Sequence, residues 1–332
     1  MLLSVVGIVA GLALLTAGAD QFVVGSTRVA ARLKVSTVVI GAVVIGFGTS
    51  APELVVSALA GIQGSADLAV GNIVGSNIAN MTLVLGVAAM ITPVGVSWPI
   101  LRREAPLSLG SVVLFAVVLR NGNLSLLDGA LLLAALVAAL WIVLRAARAA
   151  IPPDGERAGD PAGDAAVLPG AAELAELLPD EDRPSLPRES TRTLVGLLVT
   201  LGAAQLLVTS ASDVARTLGL SEAFIGLTVV AIGTSLPELA AAVQAARRKE
   251  TDLLIGNLLG SNLFNSGAVG AMAAFAGTGQ TLGETITGFG ALVMVVVVTV
   301  ATGFMLSARK VVRWEAALLL IAYLGCLPLL AR

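Results

Sequence analysis

The sequence contains no histidine and a single cysteine, Cys326, and these scarcities exclude several kinds of site at once. Without imidazoles or a set of thiols, the chain lacks the usual ligands of zinc, copper and haem, and it has no His-Glu-x-x-His protease motif. Any metal ion must therefore be held by oxygen atoms, which favours sodium, calcium, magnesium or manganese. Cys326 lies in an apolar run and is interpreted as an inert packing residue, and no cofactor is expected.

Charged residues are also scarce. They make up 13% of the chain, against about 25% in typical soluble domains, whereas 57% of the residues are hydrophobic and 36 are glycine. The formal net charge of −2 and the absence of a basic block argue against nucleic acid as a partner. This composition predicts a membrane protein that crosses the lipid bilayer several times.

Apolar runs long enough to cross about 30 Å of hydrocarbon occur ten times. The first run lacks the basic leader of a signal peptide and is expected to remain as a span. An acidic, proline-rich segment without aromatics, at 150–190, is typical of a flexible linker. The predicted spans are 1–26, 37–60, 68–91, 105–119, 125–148, 191–214, 222–246, 252–276, 284–307 and 312–331.

Basic residues fix the orientation of these spans. The connections after odd-numbered spans hold all but three of the 20 lysines and arginines. By the positive-inside rule, those connections and the linker are cytoplasmic, and both termini are outside a cell (inner or plasma) membrane. Five spans in each half place the second half in the opposite orientation. We therefore predict an all-α membrane protein of ten transmembrane helices, with inverted five-helix repeats at 1–149 and 191–332 separated by linker 150–190.

Two glutamates lie inside apolar runs, in near-identical segments. The first segment reads Gly46-Phe-Gly-Thr-Ser-Ala-Pro-Glu53 and the second Ala231-Ile-Gly-Thr-Ser-Leu-Pro-Glu238, 185 positions later. A carboxylate at membrane depth is costly, so each glutamate is a candidate functional residue. The proline before each glutamate removes a backbone donor and predicts a kink with freed carbonyls nearby.

A second matched pair follows on the next span of each half. It reads Gly71-Asn-Ile-Val-Gly-Ser-Asn-Ile-Ala-Asn80 and Gly256-Asn-Leu-Leu-Gly-Ser-Asn-Leu-Phe-Asn265. Ser76 and Ser261 each lie 23 positions after the glutamate of their half. One such motif alone is explained by helix packing, but packing does not require a buried acid twice. The four segments together indicate a cation site at the interface of the repeats.

These residues resemble the two α-repeats of the sodium/calcium exchanger family of cation/calcium antiporters, with the specific signal in 41–90 and 226–275. The resemblance implies that several sodium ions are exchanged for one calcium ion by alternating access, in a protein that functions as a monomer. It assigns calcium to Glu53, Glu238 and the carbonyls of Thr49 and Thr234; sodium to Gly46, Ser50, Ser76, Ala231 and Ser235 with both glutamates; the lining of the centre to Asn80 and Asn265; and a further candidate role to Ser261.

Several alternatives remain open at this stage. Potassium-dependent relatives resemble this chain but carry Asp where Asn265 stands, so potassium-independent and electrogenic exchange is expected. The proton/calcium branch typically has a glutamate in its Gly-Asn motif, where this chain has Ile73–Val74 and Leu258–Leu259. A proton-coupled antiporter of calcium or another divalent ion is thus the second reading, and a cation channel is the third. An intramembrane hydrolase lacks a catalytic base here, so no enzyme activity is expected.

Overall fold

The computed structural model describes residues 2–33, 37–149, 185–218 and 231–330, and these are mostly helical. The first half ends in a long helix that leads towards the predicted linker. Its elements are α1 (Leu2–Leu33), α2 (Thr37–Ile40), a π-turn (Gly41–Ile45), α3 (Gly46–Thr49), α4 (Ala51–Ile62), α5 (Ala66–Ala79), a π-turn (Asn80–Val84), α6 (Leu85–Ile91), β1 (Val94–Gly95), α7 (Trp98–Arg102), α8 (Glu104–Val118), a 3₁₀ turn (Leu119–Asn121) and α9 (Leu126–Ala149).

The second half repeats this order of elements in outline. Its elements are α10 (Leu186–Thr217), α11 (Ala231–Thr234), α12 (Leu236–Arg247), α13 (Thr251–Phe264), a π-turn (Asn265–Val269), α14 (Gly270–Ala276), a π-turn (Thr285–Gly290), α15 (Ala291–Ala308), β2 (Lys310–Val311) and α16 (Arg313–Leu330).

Helix α10 begins inside the segment predicted to be linker. Leu186 opens the helix and Pro187 occupies its first turn, where proline is tolerated because the backbone donors there have no helical partner. The rest of the predicted linker, 150–184, lies outside the described residues.

Six helical segments of the described chain are long and apolar enough to cross a membrane, and the bent pair Gly41–Thr49 and Ala51–Ile62 makes a seventh if it is counted as one span. The predicted number was ten. Part of the difference lies in the predicted span 222–246, since residues 219–230 are outside the described part. The helix that follows there, α12, has only 12 residues.

The predicted kink before each glutamate is present. Ser50 breaks the helix between α3 and α4 with φ −81° and ψ 6°, and the two helices meet at a 47° bend. Pro52 has no N–H to give to the Gly48 carbonyl, and the N–H of Ser50 donates to the Gly46 carbonyl at 3.2 Å. Ser235 breaks the chain between α11 and α12 in the same way, with φ −88° and ψ 5°.

The motif-bearing helices α5 and α13 form the centre of the molecule. The apolar stretch of Ala66–Ile91 is 78% buried, compared with 22% for Leu2–Leu33, which lies at the periphery against α10. Every residue of α13 from Asp252 to Phe264 is buried. Packing rather than lipid contact therefore determines the surroundings of the second motif.

Glycines allow α13 to cross the first-half segment 41–49 at backbone contact. A Cβ atom on Gly46 would lie 2.9 Å from the backbone nitrogen of Ser261, and one on Gly260 would collide with the backbone of Ala42. Such close approach is the usual function of paired small residues in membrane helices. The crossing brings the glutamate motif of the first half against the Gly-Asn motif of the second.

The two halves are also joined at their connecting loops. Strand β1 pairs antiparallel with β2, and Asn123 pairs with Thr281. Asp67 and Asp252 lie in the first turns of α5 and α13, where acidic residues are favoured. Asp67 accepts the N–H of Gly283 at 2.8 Å, and Asp252 accepts hydrogen bonds from Ser97. Each acid thus fastens a loop of the other half.

Candidate cation site

Glu53 on α4 and Glu238 on α12 are completely buried. The Ser76 hydroxyl donates to Glu53 Oε1 at 3.4 Å, and the Ser50 hydroxyl donates to Glu238 Oε1 at 3.3 Å. The Oε2 atom of each glutamate has no hydrogen-bond partner among the residues that the structure describes. Each carboxylate therefore retains a buried oxygen that is available to a cation.

The two carboxylates belong to one site rather than to two. Glu53 and Glu238 interact electrostatically. The hydroxyl of Ser50, the residue directly before α4, donates to Glu238 of the other half. On an unbroken helix Ser50 would lie on the same face as Glu53, three residues away. The helix is broken at Ser50, and the Ser50 hydroxyl donates to Glu238 instead.

Thr49 and Ser261 form a buried polar group on the α13 side of the site. The Thr49 hydroxyl donates to the carbonyl of Ile45 at 3.0 Å and lies 3.4 Å from Asn257 Oδ1 and 3.5 Å from Ser261 Oγ. The Ser261 hydroxyl donates to the carbonyl of Gly46 at 3.4 Å. Three of the candidate ligands, Gly46, Thr49 and Ser261, are thus in one cluster.

The hydrogen bond that Ser50 makes in the first half is not repeated by its equivalent Ser235 within the described residues. Thr234 and Ser235 are buried, and the Ser235 hydroxyl has no partner within the described ranges. Ala231 begins α11 at the edge of those ranges.

Asn80 and Asn265 lie at the centre, each at the start of a π-turn, and both are buried. Asn80 Nδ2 donates to Asn262 Oδ1 at 3.1 Å. Neither amide atom of Asn265 has a partner in the described part of the molecule. Two amide oxygens therefore accompany the two carboxylates in the interior.

Four further asparagines contribute to the site although the sequence analysis did not single them out: Asn72, Asn77, Asn257 and Asn262. Asn72, for example, donates to the backbone carbonyl of Glu53 at 3.4 Å and to the Ser57 hydroxyl at 3.0 Å. The signal that could have found them is the repeat itself, because Asn72 and Asn77 recur 185 positions later.

The donor set determines which ions the site suits. Within the described residues, no group of three or more His, Cys, Asp or Glu side chains is arranged to hold a metal ion. The available ligands are two carboxylates with hydroxyl, amide and carbonyl oxygens, which is the chemistry of hard cations. Two carboxylates balance the charge of one divalent ion.

Other acids near the ends of helices serve local structure. Asp128 accepts the N–H and the hydroxyl of Ser125 at 2.9 and 2.7 Å. Glu315 accepts the N–H of Val312 at 2.9 Å and the Ser307 hydroxyl at 3.3 Å. These contacts satisfy helix starts and leave Glu53 and Glu238 as the acids at the centre of the site.

Comparison with known proteins gives consistent results over nearly the whole chain. A family model described as sodium/calcium exchanger protein matches residues 3–145 and 192–331. The inner membrane protein YrbG of Escherichia coli (strain K12) is 38% identical over 80% of this chain and 77% of its own length. The sodium/calcium exchanger MaX1 of Methanosarcina acetivorans is 29% identical over 96% of both chains. A solved structure of the sodium-calcium exchanger NCX_Mj, soaked with sodium and strontium, superimposes with a TM-score of 0.82 at 30% identity over 98% of both chains.

Proposed function

Since the chain belongs to the sodium/calcium exchanger family, we propose that it exchanges sodium ions for calcium across a cell membrane at the site formed by Glu53 and Glu238. The protein is an integral membrane protein of an antiporter family. Beyond membership of this family, we propose the identity of the coupled ions, the residues that bind them and an alternating-access mechanism.

The buried glutamate pair is the observation that carries this proposal. Two carboxylates in low dielectric require a compensating positive charge, and one calcium ion supplies it. Calcium takes six to eight oxygen ligands in flexible geometry. The glutamate Oε2 atoms and the carbonyls of Thr49 and Thr234 supply part of that shell. Magnesium retains its waters and needs rigid octahedral geometry, which this mixed donor set does not favour.

Flanking sites for sodium are proposed beside the calcium site. Their ligands are the hydroxyls and carbonyls that surround the two glutamates in each half: Gly46, Ser50 and Ser76, with Ala231 and Ser235. Asn80 and Asn265 line the centre, and the Ser261 hydroxyl donates a hydrogen bond to the Gly46 carbonyl. Sodium is preferred over the proton as the coupled ion because the named exchangers MaX1 and NCX_Mj, which this chain resembles over nearly its full length, are sodium/calcium exchangers.

We propose ten transmembrane helices in two inverted repeats, the second beginning with α10 at Leu186, with a cytoplasmic linker between the repeats and both termini outside. The cross-half contacts support this arrangement. Asp67 and Asp252 are 185 positions apart, and their donors Gly283 and Ser97 differ by nearly the same interval. A pseudo-two-fold axis relates such contacts, and an inverted repeat places that axis in the membrane plane.

The experiment is calcium uptake into proteoliposomes that contain the purified protein, with and without an outward sodium gradient. The proposal predicts rapid calcium uptake when sodium is inside and low uptake when choline replaces it. Uptake that is equally fast without internal sodium would indicate a channel. Uptake driven by an outward proton gradient alone would indicate a proton-coupled antiporter.

A further inference from the structure

Four asparagines at the centre of the site form two pairs that the sequence repeat relates to each other. Asn77 and Asn80 correspond to Asn262 and Asn265 by the same 185-position offset that relates the two glutamates. All four side chains are at most 1% exposed. Under the proposed two-fold symmetry, a bond from Asn80 to Asn262 has an equivalent from Asn265 to Asn77.

One of these two bonds is formed and the other is not. Asn80 Nδ2 donates to Asn262 Oδ1 at 3.1 Å. Asn265 Nδ2 and Asn77 Oδ1, the atoms of the equivalent bond, both lack a partner within the part of the chain that the structure describes. A buried donor and acceptor left unpaired are costly. The structure therefore contains one of the two side-chain hydrogen bonds, whereas the donor and the acceptor of the equivalent bond are unpaired within the described residues.

The Asn77 amide is oriented through its Nδ2 atom, which has two acceptors. Asn77 Nδ2 donates to the carbonyl of Ile73 at 2.9 Å and to Ser266 Oγ at 3.3 Å. Ser266 is completely buried. The equivalent position in the first half is Met81, which has no hydroxyl. The symmetry of the four amides is thus broken next to a position at which the two halves differ.

We propose that these two side-chain hydrogen bonds form alternately. Asn80 donates to Asn262 in one access state, and Asn265 donates to Asn77 in the other. Asn77 and Asn262 are then positioning residues for the central amides. The bond to Asn262 fixes the Asn80 amide and leaves its Oδ1 without a partner among the described residues, so that this oxygen is held in place for a cation. The Asn265 amide, whose atoms have no partner in the described chain, is held in the same way in the other state. This inference rests on the proposed function, because it assumes inverted repeats and alternating access.

Substitutions of the two bonds have opposite expected effects on the balance of states. Asn262→Leu removes the bond of the present state, and Asn265→Leu removes the bond of the other state. Each loss shifts the ratio of the two states about fivefold, the effect of one net hydrogen bond. Ser266→Ala removes one of the two present acceptors of Asn77 Nδ2, which weakens the present arrangement of this amide and shifts the ratio in the same direction as Asn262→Leu.

The experiment measures the membrane face from which the site can be reached, without using transport. In a Cys326→Ser background, Ser235→Cys places a thiol in the site, and a membrane-impermeant thiol reagent is applied to intact cells and to inside-out vesicles. The ratio of the two labelling rates reports the balance of states. Ser108→Ala is the control, because it removes a buried hydroxyl from α8.

The proposal predicts opposite shifts for Asn262→Leu and Asn265→Leu, a ratio near that of the background in the double variant, and no shift for Ser108→Ala. Shifts in the same direction, or unchanged ratios, would overturn it. If the leucine variants do not insert, Ser266→Ala decides: a shift supports the proposal and an unchanged ratio overturns it. If the unsubstituted protein shows no sodium-driven calcium uptake, the proposed function is overturned. If uptake is present but the labelling ratios do not change, only this inference is overturned.

Discussion

Glu53 accepts the Ser76 hydroxyl and Glu238 accepts the Ser50 hydroxyl, and both of these partners are buried and carry no positive charge. Two negative charges in such surroundings repel each other strongly unless a cation lies between them. Under the proposed function, the affinity for calcium therefore depends on these two side chains, and each contributes half of the charge that neutralises the ion.

Replacing either glutamate by glutamine is expected to abolish calcium transport while the protein remains folded. One charge pair at about 4 Å is worth about 4 kcal/mol at an effective dielectric of 20, so calcium affinity is expected to fall at least about a hundredfold. Calcium-45 uptake and the gel-filtration profile measure the two effects. Asp213→Asn is the control, since that acid is exposed and pairs with Arg216. Robust calcium flux through Glu53→Gln or Glu238→Gln would remove these residues from the site.

Asn265 places a neutral amide in a completely buried position at the centre. Exchange is therefore expected to be independent of potassium, since no third carboxylate is present there to balance an additional cation. The measurement is sodium-driven calcium uptake with potassium replaced by choline on both sides, which is expected to leave the rate unchanged. A severalfold loss of rate in choline would show that this interpretation of Asn265 is wrong.

At the scale of the elements, the crossing of segment 41–49 over α13 holds the two motifs together. The chains touch at the level of the backbone, with Gly260 against Ala42 and Gly46 against Ser261. Backbone atoms cannot move aside as the end of a flexible side chain can. Side chains added at this crossing must therefore separate the helices that carry the site.

Gly260→Val is expected to lower thermal stability and to abolish transport, because overpacking costs about 1–3 kcal/mol even where side chains can adjust. Gly303→Val is the matched control. It adds the same side chain to α15, where a Cβ atom meets open space. Melting temperatures of the purified proteins in detergent provide the comparison. Equal melting temperatures for the two variants would mean that the crossing tolerates separation.

The sequence predicts the motif helices and their kinks well because proline and glycine act locally. The positions of Asp67 and Asp252 follow an equally local rule, since acids favour the first turn of a helix. The sequence does not predict that Ser50 reaches Glu238, because that contact depends on the direction of the chain after the break and on the approach of a helix from the other half. The hydrogen bond from Asn77 Nδ2 to the Ser266 hydroxyl is likewise decided by tertiary packing.

For the whole molecule, the predicted ten spans exceed the six or seven that the described helices supply. Hydrophobic patterning counts an apolar run as one span whether or not its helix is continuous. It does not show the breaks at Ser50 and Ser235, after which the helices α4 and α12 have only 12 residues each. The inverted arrangement is supported by contacts between loops that are distant in the sequence.

Exchange is expected to be electrogenic if three sodium ions move for each calcium ion, as the family resemblance suggests. One net charge then crosses the membrane in each cycle, which is worth about 2.3 kcal/mol per 100 mV. Potassium gradients with valinomycin impose the potential on proteoliposomes. An inside-positive potential is expected to accelerate calcium uptake that is driven by internal sodium, because positive charge leaves the vesicle. A rate that does not respond to the potential would indicate neutral exchange.

The most direct test of the account is the simultaneous measurement of sodium-22 efflux and calcium-45 influx in the same proteoliposomes. The account predicts that the two fluxes begin together, remain in a fixed ratio in which sodium carries more charge than calcium, and disappear together in Glu53→Gln and Glu238→Gln. Calcium influx without sodium efflux, or sodium efflux that persists when both glutamates are replaced, would contradict it.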